Sequence, residues 1–371
     1  MSSVLLLSNG PGELWGWARP LVPELTARGH RTTIAILPCP FASGSERRIA
    51  ETLGAQEILG PAGTLATVRS MLGGRMRADV VVQLGGDLLW GRLAAWRAGA
   101  PLLCYSYGRK KGLERCRAVF TAYHSMAEAM SGAVVIGDLV AEGLGPEEEA
   151  PAPGAEGSPV VAFFPGSRDA YRSFAEDFIA EVADLLRGQF PSLSARVVLS
   201  PFAPEGDEAR WRERGLLVVR GGGREAVRGV DLAVTQPGTN TLDLTCCAVP
   251  FMVMVPFAIL RDLPVSGLAG MVAAIPWIGP WLKERELRRR SRHVTYLAWP
   301  NRIAGRSVVD EYFGDITASD AADRIGRRLR DERWLAGTRE ALREIGRLAP
   351  AGAAKRLADE IERVVRRDDQ G

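Results

Sequence analysis

The sequence has few of the residues that build disulfide frameworks or metal sites. Its five cysteines stand at positions 39, 104, 116, 246 and 247. An odd number of irregularly spaced cysteines is not typical of a disulfide-bonded domain or a zinc site. We therefore expect reduced thiols, as in a cytoplasmic protein, with Cys246 and Cys247 packed as small apolar side chains. No cluster of metal ligands is visible either, so no bound metal is expected.

Strong net charge is also missing, and no secretory leader is expected. The net charge is +3 over 371 residues, which gives no global support to nucleic-acid binding. The N-terminus has no basic region, and its apolar run is shorter than that of a secretory signal peptide. We interpret this run as a buried first strand. The chain length fits two domains.

Apolar runs typical of strands alternate with helical spacing along both halves of the chain. Strands are predicted at 4–8, 32–37, 79–84, 101–105, 118–121, 133–136, 160–164, 195–199, 216–219, 232–235 and 251–255. Near-continuous apolar strands separated by helices indicate parallel sheets covered on both faces. The sequence thus predicts an α/β protein with two Rossmann-like domains. Ligands of such sheets bind beyond the carboxyl ends of the strands, and we expect the site in the cleft between the domains.

The predicted domains follow from composition. A segment rich in Pro, Gly and Glu, 146–158, predicts a linker between domain 1–145 and domain 159–335. The second domain carries a hydrophobic and basic insert, 258–293. Charged helices, 336–371, are expected to pack on one or both domains.

Two turns in the second half carry candidate anion-binding residues. In FFPGSR, a strand runs into a turn ending in Ser167 and Arg168, and this arginine can pair with a diphosphate. The alternative is an ordinary turn with Arg168 in a salt bridge. In TQPGTNTLD, Gly238, Thr239 and Asn240 open a helix whose free N–H groups favour an anion. Plain capping by Thr239 would use the same residues.

The acidic residue of the second turn is a further candidate. Asp243 lies one helical turn after Thr239, where its carboxylate could accept a hydrogen bond from a ribose hydroxyl. Either turn alone is a weak signal. The two in one Rossmann unit are a much stronger one.

The first half has its own candidates at strand ends. Asn9, Gly10, Gly12 and Glu13 follow the first strand but do not form the GxGxxG fingerprint of dinucleotide-binding proteins. The loop would bring backbone amides and Glu13 to the site, or would be a simple tight turn.

Two further residues could act as a base in the first half. Asp87 ends another strand, where it could serve as general base or merely cap the next helix. His124 is a second candidate base, although a lone histidine is more often structural.

The insert carries a membrane signal. Residues 263–282 hold no charge, and 283–292 hold six cations and two anions. Tryptophans at 277 and 281 lie near the junction. Apolar residues, interfacial tryptophan and a basic cluster favour a helix or hairpin dipping into one leaflet. A buried core segment and a membrane span are the alternatives, and Pro276 and Pro280 disfavour the span.

Three stretches in this order resemble the lipid-A-disaccharide synthase family: FFPGSR, TQPGTNTLDL followed by PFMVMVPF, and YLAWPNRIAGRSVVDEYF. The resemblance covers about 160–313 well and the first half more weakly. It implies a GT-B fold and an inverting transfer of a diacylglucosamine from UDP onto a lipid acceptor, without metal or cofactor. The implied location is the cytoplasmic membrane's inner face. A homodimer is one oligomeric state left open.

By carry-over, one set of residues would contact the nucleotide sugar. These are Ser167, Arg168, Gly238, Thr239, Asn240, Asp243, Asn301 and Arg302. Asp87 falls where the family has an important aspartate. The first loop, NGPGELWGW, departs from the family pattern and is closer to a lipid-A-disaccharide-synthase-related group. Pro237 and Asp243 also depart, which leaves the donor sugar open.

The sequence therefore predicts a UDP-sugar-dependent glycosyltransferase with Asp87 or Glu13 as base. Its partners would be a UDP-sugar donor, a lipid acceptor and a membrane surface contacted through 263–292, with no nucleic acid. A hydrolysing UDP-N-acetylglucosamine 2-epimerase is the second hypothesis. A non-catalytic nucleotide-sugar-binding membrane protein is the third.

Overall fold

The structure, a computed structural model, divides into two compact units. Unit 1 comprises Met1–Gly145 and Arg347–Gly371, and unit 2 comprises Pro146–Gly346. The described residues are 1–39, 42, 44–61, 63–72, 77–130, 132–145, 158–166, 169–256 and 296–368. Helices and strands are numbered over these residues.

Unit 1 is built on a seven-stranded parallel sheet in the order β3-β2-β1-β4-β5-β6-β7. The strands are β1 (Ser3–Ser8), β2 (Arg31–Ile36), β3 (Glu57–Leu59), β4 (Val80–Gln83), β5 (Leu102–Tyr105), β6 (Ala118–Thr121) and β7 (Val134–Val135). The central strands are apolar along their length and buried on both faces, since helices cover the sheet.

In the described part of residues 1–145, six helices lie between these strands and a seventh follows β7. They are α1 (Pro11–Glu13), α2 (Arg19–Ala27), α3 (Glu46–Glu51), α4 (Thr64–Leu72), α5 (Leu88–Ala98), α6 (His124–Glu128) and α7 (Leu139–Gly143). A π-helical segment, Leu14–Ala18, joins α1 to α2 without a break. A 3-10 turn, Leu113–Arg115, lies between β5 and β6.

Unit 2 is built on a six-stranded parallel sheet in the order β10-β9-β8-β11-β12-β13. The strands are β8 (Val160–Phe163), β9 (Ser194–Leu199), β10 (Leu217–Arg220), β11 (Leu232–Thr235), β12 (Phe251–Pro256) and β13 (Asp310–Gly314). The helices are α8 (Asp169–Gln189), α9 (Asp207–Glu213), α10 (Asn240–Cys246), α11 (Trp299–Ala304), α12 (Ala318–Leu329) and α13 (Glu332–Arg347). A 3-10 turn, Glu225–Val227, precedes β11.

The last helix, α14 (Ala353–Asp368), packs in unit 1. Glu142 accepts a hydrogen bond from the amide of Ala354 at 2.8 Å, and Arg356 donates to the carbonyl of Ile136 at 2.8 Å. Arg28 on the opposite side pairs with Asp359 at 2.6 Å. The end of the chain is thereby tied to the domain with which the chain begins.

Both sheets share one strand order, which locates the sites. Counting strands within each unit, both follow 3-2-1-4-5-6, with one further edge strand in unit 1. In such sheets the chain leaves the first and fourth strands in opposite directions, and a crevice opens between their carboxyl ends. The crevices therefore lie after β1 and β4 in unit 1 and after β8 and β11 in unit 2.

Candidate functional site

In unit 1, the turn after β1 brings Glu13 back over Gly10. Gly10 precedes α1, and Pro11 occupies its first position, where its missing N–H costs nothing. A side chain at Gly10 would place a carbon 2.5 Å from Oε2 of Glu13. Gly12 lies inside α1. The glycine therefore leaves room for the carboxylate at the carboxyl end of the first strand.

The turn after β4 lies against the same residues. A side-chain carbon at Gly85 would be 2.8 Å from Oδ1 of Asn9 and 3.0 Å from Cγ of Glu13. Gly86 has a φ of 71°, which favours glycine, and its position also faces Asn9. The structure thus brings together Asn9, Gly10 and Glu13 from the first loop with both glycines of the second. We call these five residues the Asn9–Gly86 cluster.

The cluster contains a buried acceptor without a donor. Oδ1 of Asn9 is buried and has no hydrogen-bond partner among the described residues. Its Nδ2 donates only to Sγ of Cys39, at 3.7 Å. An unsatisfied buried acceptor is costly, so a donor from a bound molecule or water is expected there.

Asp87 caps a helix at the edge of this cluster. It is the N-cap of α5, and its Oδ1 accepts a hydrogen bond from the amide of Leu89 at 2.8 Å. The capping role considered for Asp87 is confirmed. The side chain is exposed, and its role as a base stays a prediction.

Lys110 is a neighbour of the cluster that the sequence analysis did not single out. It lies in the connection from β5 to β6, and its Nζ donates to the carbonyl of Gly86 at 3.2 Å. The signal that could have indicated it is the run of three cations, 109–111, four to six residues after the end of a predicted strand. A cation at the mouth of a crevice favours an anionic ligand group.

His124 is not brought to the Asn9–Gly86 cluster. It is exposed at the start of α6, and no hydrogen bond in the described structure joins it to the cluster. The buried acid nearby in sequence is Asp138, which accepts from the hydroxyls of Tyr107 at 2.5 Å and Tyr123 at 3.2 Å. Burial raises the pKa of Asp138. Asp138 also caps α7, so its role is structural, at the β7 edge of the sheet.

In unit 2, the turns after β8 and β11 are adjacent. Gly166 has a φ of 88°, and a side-chain carbon there would lie 3.4 Å from Oε1 of Gln236. The next two residues, Ser167 and Arg168, lie outside the described residues. The glycine therefore allows the first turn to approach the second closely.

The second turn opens α10. Thr239 precedes the helix without a side-chain capping bond, while Asn240 begins it. The hydroxyl of Thr241 donates to the carbonyl of Gly238 at 2.8 Å. Asp243 lies in the first turn, partly buried. Four residues predicted to contact the nucleotide sugar thus lie at one crevice, at the carboxyl end of β11: Gly238, Thr239, Asn240 and Asp243.

The side chain of Asn301 forms its hydrogen bonds within the protein. It is 1% exposed, and its Oδ1 accepts from the amides of Val308 at 2.7 Å and Val309 at 2.9 Å. Its Nδ2 donates to the carbonyl of Val309 at 2.9 Å and to Glu311 at 2.7 Å. The side-chain amide thus makes all four of its hydrogen bonds, so Asn301 holds α11 against the start of β13.

Glu311 and Thr241 complete this arrangement, and the sequence analysis did not identify either. Glu311 accepts from the amides of Leu297 at 2.7 Å and Ala298 at 2.8 Å. The hydroxyl of Thr241 accepts from the amide of Trp299 at 3.3 Å. The start of α10 and the start of α11 are therefore joined. Neither has a distinctive sequence signal, because Thr241 stands among other polar residues in TNTLD and Glu311 follows Asp310.

Arg302 faces outward on α11. It is exposed, and its guanidinium lies 4.1 Å from the ring centre of Trp299. This stacking keeps the cation at the surface beside the α10–α11 junction.

The described ranges contain neither a metal-ligand cluster nor a membrane-crossing helix. No group of three or more His, Cys, Asp and Glu side chains there could hold a metal ion. No helix in those ranges is long and apolar enough to cross a membrane. The insert 258–293, including 263–282, lies outside the described residues.

Two Rossmann-like parallel sheets, each with candidate ligand groups at its switch point, define a two-domain α/β protein of the GT-B type. The predicted pair of Rossmann-like α/β domains is thereby confirmed, whereas the predicted membrane-associated insert lies outside the described residues. No protein-family model and no curated protein sequence matches the chain.

Solved structures of this fold match along almost the whole chain. S. aureus MnaA with UDP has a TM-score of 0.60 at 12% identity, over 98% of this chain and 96% of that one. CalG4, the calicheamicin glycosyltransferase, has 0.57 at 14%, over 98% of each chain. UDP-GlcNAc 2-epimerase from Neisseria meningitidis, bound to UDP-GlcNAc, has 0.54 at 11%, over 97% of this chain and 100% of that one.

Proposed function

We propose that the protein is a glycosyltransferase that moves a sugar, of the acylated glucosamine type, from UDP onto a lipid acceptor. Unit 1 would bind the acceptor, and unit 2 would bind the nucleotide sugar. Two supports are independent of each other. The ordered motifs resemble those of lipid-A-disaccharide synthases, and proteins of this fold include a glycosyltransferase and structures with UDP or UDP-GlcNAc.

The observation that carries the proposal is the Asn9–Gly86 cluster. Glu13 is partly buried at the carboxyl end of β1, with no hydrogen bond or ion pair in the part of the chain that is described. Asn9 offers a buried acceptor beside it. The attacking hydroxyl of the acceptor could give its proton to Glu13, while a neighbouring hydroxyl of the same molecule donates to Oδ1 of Asn9. The deprotonated oxygen then attacks the anomeric carbon, and UDP leaves.

Asp87 and Lys110 have supporting roles in this proposal. One carboxylate oxygen of Asp87 caps α5, which leaves the other for the acceptor. Lys110, held at the carbonyl of Gly86, adds positive charge for an anionic group of the lipid. Of the two acids, Glu13 is the base we favour, because no bond within the described structure commits it elsewhere.

On the nucleotide side, the proposal uses the two adjacent turns of unit 2. Arg168 and Ser167 would contact the diphosphate, with Gly238, Thr239 and Asn240. Preorganised donors there would stabilise the negative charge that develops on the departing UDP. Asp243 would accept from a ribose hydroxyl.

The residues of α11 enter the proposal with different roles. Asn301 positions α11 rather than touching the nucleotide, because its amide is fully bonded. Arg302 remains available at the surface.

The membrane part of the proposal rests on sequence. The segment 263–292 would hold the protein on the inner face of the cytoplasmic membrane. Deleting this segment should weaken sedimentation with vesicles of anionic lipid. Unchanged sedimentation would contradict this part alone.

A second candidate function is UDP-N-acetylglucosamine 2-epimerisation, because a 2-epimerase bound to UDP-GlcNAc shares the fold. Such an enzyme needs no lipid acceptor. Product analysis with UDP-GlcNAc alone separates the two: free UDP together with N-acetylmannosamine would indicate the epimerase.

The experiment measures UDP affinity by calorimetry and sugar transfer to a bacterial lipid extract by mass spectrometry. We expect Glu13→Gln to lower kcat by about 10²-fold or more while UDP affinity is unchanged. Asp87→Asn keeps the helix cap and tests the charge alone. The matched control is Glu128→Gln, an exposed acid on α6.

Each outcome of this experiment decides something. Loss of turnover in Glu13→Gln alone assigns the base. Loss in Asp87→Asn alone moves the base to Asp87. Wild-type turnover in both variants contradicts the proposed chemistry, and absence of UDP binding contradicts the proposed donor.

A further inference from the structure

A surface groove of about 900 Å³ lies in unit 1, away from the Asn9–Gly86 cluster. One wall is α5, and the other is the connection from β5 to β6. Its lining includes Leu89, Arg92, Leu93, Trp96, Arg115 and Arg117. None of the five cluster residues lines it. The groove is therefore a separate feature of this unit.

The wall formed by α5 presents apolar side chains to solvent. Leu89 is 61% exposed and Trp96 is 73% exposed. They stand seven residues apart, with Arg92 between them at the third position, so all three share one helix face. A leucine and a tryptophan exposed on either side of an arginine are the side chains expected where protein meets the boundary of a bilayer.

The opposite wall is basic. The connection 106–117 has five cations and a single acid, and of these Arg115, Arg117 and Glu114 line the groove. Arg115 lies 3.9 Å from Glu114. Arg92 and Arg117 have no ion pair in the ranges the structure covers, and the side chain of Arg92 lies near Gly112. Two of the three arginines that line the groove thus lack a counter-charge among the described residues.

We propose that this groove docks unit 1 on a bilayer of anionic phospholipid. Arg92, Arg115 and Arg117 contact headgroup phosphates, and guanidinium groups suit such oxygens because they donate in pairs. Leu89 and Trp96 enter the boundary between headgroups and acyl chains. This inference does not depend on sugar transfer or on the segment 263–292.

The test is flotation of the full-length protein with two kinds of vesicle. One is phosphatidylcholine alone, and the other contains phosphatidylglycerol as well. The charge variant is Arg92→Glu with Arg117→Glu, and the apolar variant is Leu89→Ser with Trp96→Ser. We expect binding to the anionic vesicles only, reduced at least about tenfold by either variant.

Matched controls come from unit 2. Arg327→Glu changes an exposed cation on α12, and Leu217→Ser changes a 58% exposed leucine on β10. Both should bind vesicles as the wild type does. Circular dichroism and the unfolding temperature of every variant report folding, and Trp96→Ser alone replaces a double variant that fails to fold.

Several results would overturn the docking surface. These are no binding of the wild type to anionic vesicles, wild-type binding by both groove variants, or an equal loss in the controls. Binding of inorganic phosphate without vesicle binding would identify a free-anion site instead. Sugar transfer in detergent solution reports the proposed function separately, since detergent removes the need for docking.

Discussion

Replacing Asn301 by alanine should lower the stability of unit 2 and leave its affinity for the nucleotide nearly unchanged. The substitution leaves two buried amides, of Val308 and Val309, without their acceptor. It also removes the donor to the carbonyl of Val309 and to Glu311. At about 1 kcal/mol for each of the four lost hydrogen bonds, the free energy of unfolding should fall by about 4 kcal/mol. For a unit of this size the midpoint should drop by about 8–16 °C.

An isosteric variant sharpens this prediction. Asn301→Asp keeps the acceptor for both amides but turns an oxygen toward Glu311, whose contact with the amide nitrogen is 2.7 Å. Two carboxylates at that distance repel, so the variant should be destabilised at neutral pH and recover when the pH falls. Ser307→Ala, on the exposed neighbouring residue, is the control and should change stability by less than about 0.5 kcal/mol.

Calorimetric unfolding and UDP titration measure the two effects separately. We expect a lower unfolding temperature for Asn301→Ala, with UDP affinity nearly unchanged in the folded fraction. A wild-type unfolding temperature together with a large loss of UDP affinity would refute the reasoning. Asn301 would then contact the ligand directly, as the family resemblance implies.

Three further predictions concern unit 1. Hydrogen bonding to His30 lowers the pKa of Glu362 from its ordinary 4.5, so the ionised carboxylate stabilises the fold at neutral pH. Glu362→Gln should therefore lower the free energy of unfolding at neutral pH. In acid-unfolding curves, the difference in stability between the variant and the wild type should vanish as the pH falls below 4.5. Gly137→Ala should lower the free energy of unfolding by about 3 kcal/mol in denaturant titrations, because its φ is 102° and the new carbon would overlap the carbonyl oxygen of Pro350. Asp87→Ala should cost about 1 kcal/mol through the lost cap, and Asp87→Asn much less, by the same titration.

Strands that are apolar along their whole length were identified well from sequence. The predicted strand at 118–121 and the one at 232–235 coincide with β6 and β11. Two strands were not predicted, each for its own reason. β3 has three residues and is half exposed, and β13 reads DEYFG, with two acids. Only pairing with β12 makes β13 a strand, and that partner lies over fifty residues earlier.

Some candidate site residues could likewise be predicted from sequence position, and others could not. Glycines and polar residues directly after buried strands were found by position, because parallel strands deliver their carboxyl ends to one edge. Lys110 was missed because its bond to Gly86 depends on how one loop folds over another. The full bonding of Asn301 could not be foreseen either, since its partners lie seven to ten residues away in another element.

The sequence by itself determined the two α/β halves and the loops in which ligand groups stand, because periodicity and turn residues act locally. Tertiary structure alone decided which domain the last helix joins. The apolar face of α14 would suit any covered sheet, and its bonds to Ile136, Glu142 and Arg28 select unit 1. It also decided which polar groups are already satisfied, since hydrogen bonds require partners that the chain brings together only when folded.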